Sequence, residues 1–266
     1  MLPTASDART GRSLLKRFIY SQLSLLDAGK ILLNKAQPLV PFTVKAEPAS
    51  VYYNFRIKPD AREAFIRYIN LPAGFDIVPV KCLQGDQSDY LLTLNVYEVS
   101  GIATGIRAEW STYIRDHHGI ARYMVLEARS STRSMDPVDV ITPKSRVEHE
   151  TQGGHTRTTV ASIEGRLFSA SFAVAAQPAV ALIHQQWVTA NDYIYWRNGI
   201  CDRVFYDTGM AYPDASLIEP ANADIDDQTH WAQFIDAQAS HVIQFTKPIE
   251  FVIMPWFNVS SPAGKR

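Results

Sequence analysis

The chain has 266 residues, 46% of them hydrophobic and 11% aromatic, with 26 basic against 27 acidic side chains. That composition excludes a disordered chain, which combines low hydrophobicity with high net charge. A formal charge of -1 gives no global field for gripping nucleic acid, so no nucleic-acid partner is expected.

The length suffices for one large core, and a single domain over residues 1–266 is expected, with a β-rich body from 49 to 256. Cys82 and Cys201 are the only cysteines and lack CxxC spacing. Two free thiols in a reducing compartment, and hence a cytoplasmic protein, are the expectation. No stretch reaches the roughly 20 apolar residues of a membrane helix, so no integral membrane segment is expected.

Residues 13–28 have a helical pattern, with Leu15, Phe18, Ile19, Leu23 and Leu26 at three- and four-residue steps and Gly29 past the end. Lys16 and Arg17 make this helix basic and amphipathic, suited to a core, a neighbouring subunit or a membrane surface. The stretch from Gln37 to Pro48 carries three prolines and reads as an extended connector. Val51, Tyr53, Phe55 and Ile57 alternate as one face of a strand. Pro59-Asp60 opens a helix, with Asp60 as N-cap and Glu63 as its capping-box partner; Phe65, Ile66 and Ile69 form the buried face, and Pro72 stops it.

Segments 90–99, 106–115 and 120–129 are rich in strand formers and separated by turn residues. A hairpin over 145–163 turns at Gly153-Gly154, pairing Gln152 with His155, Glu150 with Arg157 and Val147 with Val160. Asn198-Gly199 marks a second hairpin, with a helix over 184–196 as the alternative. Residues 227–239 read as a helix capped by Asp226 or Asp227, with Trp231, Phe234 and Ile235 inward, and a final strand spans 241–253. The fold class is α+β and β-rich, mostly antiparallel, with a few helices.

Several chemistries lack their residues. His117-His118 lies on a turn, the hairpin register puts His149 and His155 on opposite faces, and there is no HExxH, so no metal site is expected. There is no GxSxG elbow, no phosphate loop and no GxGxxG after a strand, and no cofactor is expected. What remains is polar residues set in strands. Arg107 and Glu109, two apart, share one strand face. Lys144 follows Pro143, with Arg146 two residues on. A lysine becomes a nucleophile at neutral pH when burial or an adjacent cation disfavours its charge, and Arg146 is the candidate cation. Trp110, Trp196 and Trp256 are candidate pocket walls or plain core.

From Tyr52 to Arg146 the sequence resembles the acetoacetate decarboxylase-like superfamily. The resemblance rests on an early strand, a short helix ending in Leu71-Pro72, a Tyr-rich strand pair carrying Gly105 and Glu109, and the Pro143-Lys144 element. It implies a curved antiparallel cone or barrel around a mostly apolar cavity, a homo-oligomer, and a small carbonyl substrate. Lys144 would form the Schiff base, and Glu109 would serve as acid/base or orienting carboxylate. Arg107, Arg146, Trp110 and Trp196 would contact substrate. The sequence also departs from the superfamily. Asp136-Pro137-Val138 stands where the decarboxylases carry Gly-Arg-Glu, Ser145 replaces their second lysine, and their N-terminal substrate-binding arginine has no counterpart. A divergent enzyme for a keto acid or other carbonyl compound is therefore expected; the alternative is a non-covalent or cyclase-like cavity protein for an apolar metabolite.

Overall fold

The computed structural model describes residues 42–71, 73–83, 85–100, 104–115, 119, 121–131, 145–174, 180–181, 192–197, 200–207 and 214–253. Of residues 42–44, 180–181, 192–197, 200–207, 214 and 250–253 only the backbone is described. The 13–28 helix and His117-His118 lie outside these residues.

In chain order the elements are β1 (Phe42–Ala46), β2 (Val51–Arg56), α1 (Arg62–Tyr68), β3 (Asp76–Ile77), β4 (Leu91–Ser100), β5 (Gly105–Arg115) and β6 (Ala121–Ser130). Then come β7 (Arg146–Gln152), β8 (His155–Ser162), β9 (Gly165–Ala173), β10 (Val180–Ala181), β11 (Asp192–Arg197) and β12 (Ile200–Asp207). The chain continues through β13 (Asp214–Ile218), β14 (Ala223–Asp227), β15 (His241–Phe245) and β16 (Ile249–Ile253). A large sheet takes the order β10-β13-β15-β2-β4-β1-β16-β12-β11-β6-β5-β3, with β4 also pairing β5, and a second sheet takes the order β14-β9-β8-β7. The architecture is mostly antiparallel sheet with few helices; β11 against β6 is a parallel pair.

The central strands of the large sheet are buried on both faces. Period-two alternation therefore sorts their side chains into two interiors. One holds Tyr52, Tyr97, Tyr113, Tyr123, Val125, Ala128 and Phe245. The other holds Tyr53, Phe55, Leu92, Leu94, Ala108, Trp110, Met124 and Leu126, packed against Phe65 of α1 and against Val147, Val160 and Phe168 of the second sheet.

The β7–β8 hairpin has the expected register, Gln152 opposite His155, Glu150 opposite Arg157 and Val147 opposite Val160. Both turn glycines have positive φ, 58° and 78°, the conformation a tight two-residue hairpin needs. β11 and β12 form the second hairpin, with Arg197 opposite Ile200, in place of the alternative helix.

Four expectations are corrected. The first helix starts at Arg62, after a turn, and its N-cap Ala61 makes no side-chain cap, so Asp60 does not cap it. The connector contains β1, which pairs with β16. No helix forms over 227–239: Thr229 caps a short 3-10 turn, His230–Gln233. Beyond it, Asp236 N–H bonds the Arg56 carbonyl at 3.0 Å and Ser240 N–H the Asn54 carbonyl at 2.7 Å, so pairing with β2 displaces the helix. Trp231, Phe234 and Ile235 still point inward. The final strand is two strands, interrupted at Thr246–Pro248, where proline cannot donate to a ladder.

A hydrogen-bonded chain ties the two sheets together. His149 Nε2 lies 2.7 Å from the Ala49 carbonyl, which only accepts, so Nε2 carries the proton. Nδ1 then accepts from Thr158 Oγ1 at 2.9 Å, and Thr158 accepts from Tyr53 Oη at 2.8 Å. Burial holds the His149 imidazole below its ordinary value of 6.5. The unfolded chain therefore takes up this proton first as pH falls. His149's contribution to stability is complete above about 6.5 and is lost as pH drops toward the folded value. We expect urea-unfolding stability to fall between pH 6.5 and 5, and His149→Gln to flatten that fall by up to about 1.4 kcal/mol per pH unit. His241, also held low by burial, adds a fall of the same sign that survives in the variant.

Candidate active site

Gly105, with φ of 148°, begins β5, and the alternation that follows sets Arg107, Glu109, Ser111 and Tyr113 on one face and Ala108, Trp110 and Ile114 on the other. Arg107 and Glu109 are 2% and 6% exposed and form a short ion pair through Arg107 Nε and Glu109 Oε1. Strand pairing places Tyr97 of β4 directly opposite Arg107, and its hydroxyl donates to the same Oε1 at 2.9 Å. On the other side Ala128 of β6 stands opposite Glu109 and Ser130 opposite Arg107. Two buried charges are tolerable here because each meets an opposite charge and the carboxylate also receives a hydroxyl.

Four buried tyrosines surround this pair. Tyr113 and Tyr123 pack with ring centroids 5.4 Å apart, and Tyr52 meets Phe245 edge-on at 5.1 Å. Burial, then the Glu109 charge, raises the Tyr52 hydroxyl above its ordinary value, and burial is also the main cause raising Tyr123. Both stay protonated at any physiological pH.

A β-bulge shapes this face. Trp110 stands opposite Glu127 but Ser111 opposite Val125, leaving Leu126 as the extra residue. The side chains of β6 that share the Glu109 face therefore change from Tyr123 and Val125 to Ala128. Glu127 is turned to the opposite face, where it accepts from Trp231 Nε1 at 3.0 Å and pairs with Arg129 at 2.6 Å. Bulges of this kind re-aim side chains and recur beside active sites.

The structure thus brings Arg107 and Glu109 together but separates the other sequence-predicted residues from them. Trp110 is buried in the opposite interior, with Leu94 and Ala108, so it is core and not a wall of the Glu109 face. Arg146 opens β7 in the second sheet; its side chain is 75% exposed and bound to Glu148, so it is a solvated ion pair and not a buried cation. Trp196 lies in β11 opposite Cys201, with only its backbone described. Lys144 and Trp256 lie outside the described residues. Ser145, next to Lys144, accepts from Arg129 Nη1 at 3.4 Å, and Arg129 stands opposite Ala108, between Arg107 and Glu109 in sequence. Tyr97, Ser111 and Tyr123 were not singled out by sequence; Ser111 had a signal, the two-residue step from Glu109, whereas Tyr97 needs the β4–β5 register. Cys82 is a buried free thiol raised by burial, and so inert. Among the described residues no cluster of His, Cys, Asp or Glu is arranged to hold a metal, and no helix is long and apolar enough to cross a membrane.

This arrangement of strands is the acetoacetate decarboxylase-like fold. The acetoacetate decarboxylase of Legionella pneumophila superposes with a TM-score of 0.52 at 9% identity, over 84% of this chain and 86% of that one. An acetoacetate decarboxylase-like enzyme from Sphingomonas wittichii gives 0.52 at 10% identity, over 83% of this chain and 93% of that one. Another acetoacetate decarboxylase structure gives 0.50 at 12% identity, over 85% and 91%. No family model matches the sequence, and no curated protein does. The likeness is one of fold.

Removing one partner of the buried pair leaves the other charge uncompensated. Glu109→Leu should cost about 3–5 kcal/mol in urea unfolding, while the Arg107→Met/Glu109→Leu double variant loses less than Glu109→Leu alone. Additive losses would show that the pair is not coupled.

Proposed function

We propose that this chain is a divergent acetoacetate decarboxylase-like enzyme acting on a keto acid or other small carbonyl compound. The observation that carries this reading is the buried Tyr97–Glu109–Arg107 cluster on a tyrosine-lined face within that fold. The sheet curves into the cone or barrel that the resemblance implies, with this face inside. Its support is the pairing order: β4–β5, β5–β6, β6–β11, β11–β12, β12–β16, β16–β1 and β1–β4 lead back to the starting strand.

Lys144 is the nucleophile. Its uncharged amine adds to the substrate carbonyl carbon and water leaves, giving an iminium. In a β-keto acid the bond to the carboxylate then breaks, its electrons pass into the iminium, and carbon dioxide departs. Protonation of the resulting enamine carbon and hydrolysis return the amine. Glu109 holds or moves a proton at the reacting carbon, and Arg107 and Tyr97 fix the carboxylate for that role.

A second reading, a non-covalent binder of a small apolar metabolite, is favoured by the mutual neutralisation of Arg107 and Glu109. Borohydride trapping with a panel of β-keto acids and unsaturated ketones, followed by peptide mass spectrometry, decides between them. The enzyme reading expects an adduct on Lys144 that disappears in Lys144→Ala, with Glu109→Gln keeping the adduct but slowing turnover about 10²–10⁴-fold. Labelling unchanged in Lys144→Ala, or none with any compound, would favour the binder.

A further inference from the structure

The Glu109 face has a closed end. Strand pairing sets Glu109, Asn95, Tyr52 and Ile243 in one row across β5, β4, β2 and β15. The next row is Ser111, Thr93, Asn54 and His241, and Tyr113 and Arg56 lie one alternation further on. Across this end runs the connection between β3 and β4. Val78 N–H bonds the Tyr113 carbonyl at 2.9 Å, and Val80 pairs with Asp89 through bonds of 2.9 and 3.0 Å that close the loop on itself. Val78, Val80 and Cys82 are buried in the same cluster as Tyr52, Tyr97, Tyr113 and Tyr123. Two side-chain contacts tie the loop on its far side. Asp86 lies 3.2 Å from His241 Nε2, and Asp89 accepts from Arg56 Nε at 2.8 Å. We propose that residues 78–83 and 85–89 form a movable strap, which uncovers this end of the Glu109 face while both sheets stay folded.

The attachments of the strap are of the kind that open locally. β3 has two residues and is the last strand of the large sheet, so on the β5 side the strap hangs from an edge. On the other side both ties join partly exposed groups, and such ion pairs contribute little each. Asp86 Oδ2 also accepts from Leu83 N–H at 2.8 Å, so the carboxylate that meets His241 shapes the loop from within. Release costs the burial of Val78, Val80 and Cys82 and these few bonds. It breaks none of the ladders joining β2, β4, β5 and β15. Units of this kind open at a free energy below that of the whole fold. On the reading of the Glu109 face as the ligand-binding interior, this end is the ligand's way in.

Cys82 is a built-in reporter. Burial raises its thiol, so it reacts only when the strap is open. The full-length protein is alkylated with iodoacetamide at about pH 8 in rising, sub-denaturing urea, and peptide mass spectrometry separates Cys82 from Cys201. The expected Cys82 rate hardly changes with urea below the unfolding transition. Val160→Ala, in the packing against the second sheet, should lower the urea midpoint yet leave Cys82 labelling within about twofold. Arg56→Gln/Asp86→Asn, which removes both ties, should speed it at least about fivefold. Labelling that follows global unfolding, rising in Val160→Ala with the stability lost, would overturn the strap. So would a rate unchanged in Arg56→Gln/Asp86→Asn. Should Val160→Ala fail to fold, the urea dependence of the unaltered protein decides by itself. Keto-acid trapping at Lys144 alongside Cys82 labelling tied to global unfolding would overturn the strap alone; strap opening without trapping would keep the strap and remove the Schiff base.

Discussion

A sheet buried on both faces has no solvent side, and that constraint governs this protein. In an ordinary antiparallel sheet alternation separates core from water. Here it separates one interior from another, so the buried polar residues of β4, β5 and β6 have to find their partners inside the molecule. Arg107 and Glu109 meet that demand by their two-residue spacing on one strand, with Tyr97 supplied across the ladder. The opposite interior carries the packing against α1 and the second sheet. The Arg107–Glu109 pair and the packing against α1 and the second sheet thus fall on different faces of the same strands. Trp110 and Glu109 are sequence neighbours with unrelated work.

The bulge between Trp110 and Ser111 is what makes the two faces unequal. With regular pairing, Glu127 and Arg129 would follow Tyr123 and Val125 onto the Glu109 face and crowd it with a second ion pair. One extra residue, Leu126, sends that pair to the far side, where Glu127 meets Trp231, and places the small Ala128 against Glu109. The site keeps a single neutralised pair surrounded by hydroxyls and rings.

Features that depend on local chemistry were legible in the sequence. The β7–β8 register followed from two glycines and the alternation on either side. The shared face of Arg107 and Glu109 followed from strand periodicity. The expected 227–239 helix failed because its apolar spacing records only which residues are buried. Trp231, Phe234 and Ile235 are inward, but their backbone is held by β2, almost two hundred residues earlier in the chain. The same limit applied to the site. Trp110 looked like a pocket wall because large aromatics line pockets and cores alike, and only the face assignment tells them apart. Tyr97 belongs to the site through inter-strand register, and Tyr123 through a register altered by a bulge, which single-strand periodicity does not encode.

A shared fold at about one residue in ten identical leaves the chemistry to be argued from the site's own electrostatics. Arg107 and Glu109 meet a ligand as an ion pair, not as two separate charges. A ligand carboxylate entering this face finds Arg107 engaged, and a ligand cation finds Glu109 engaged.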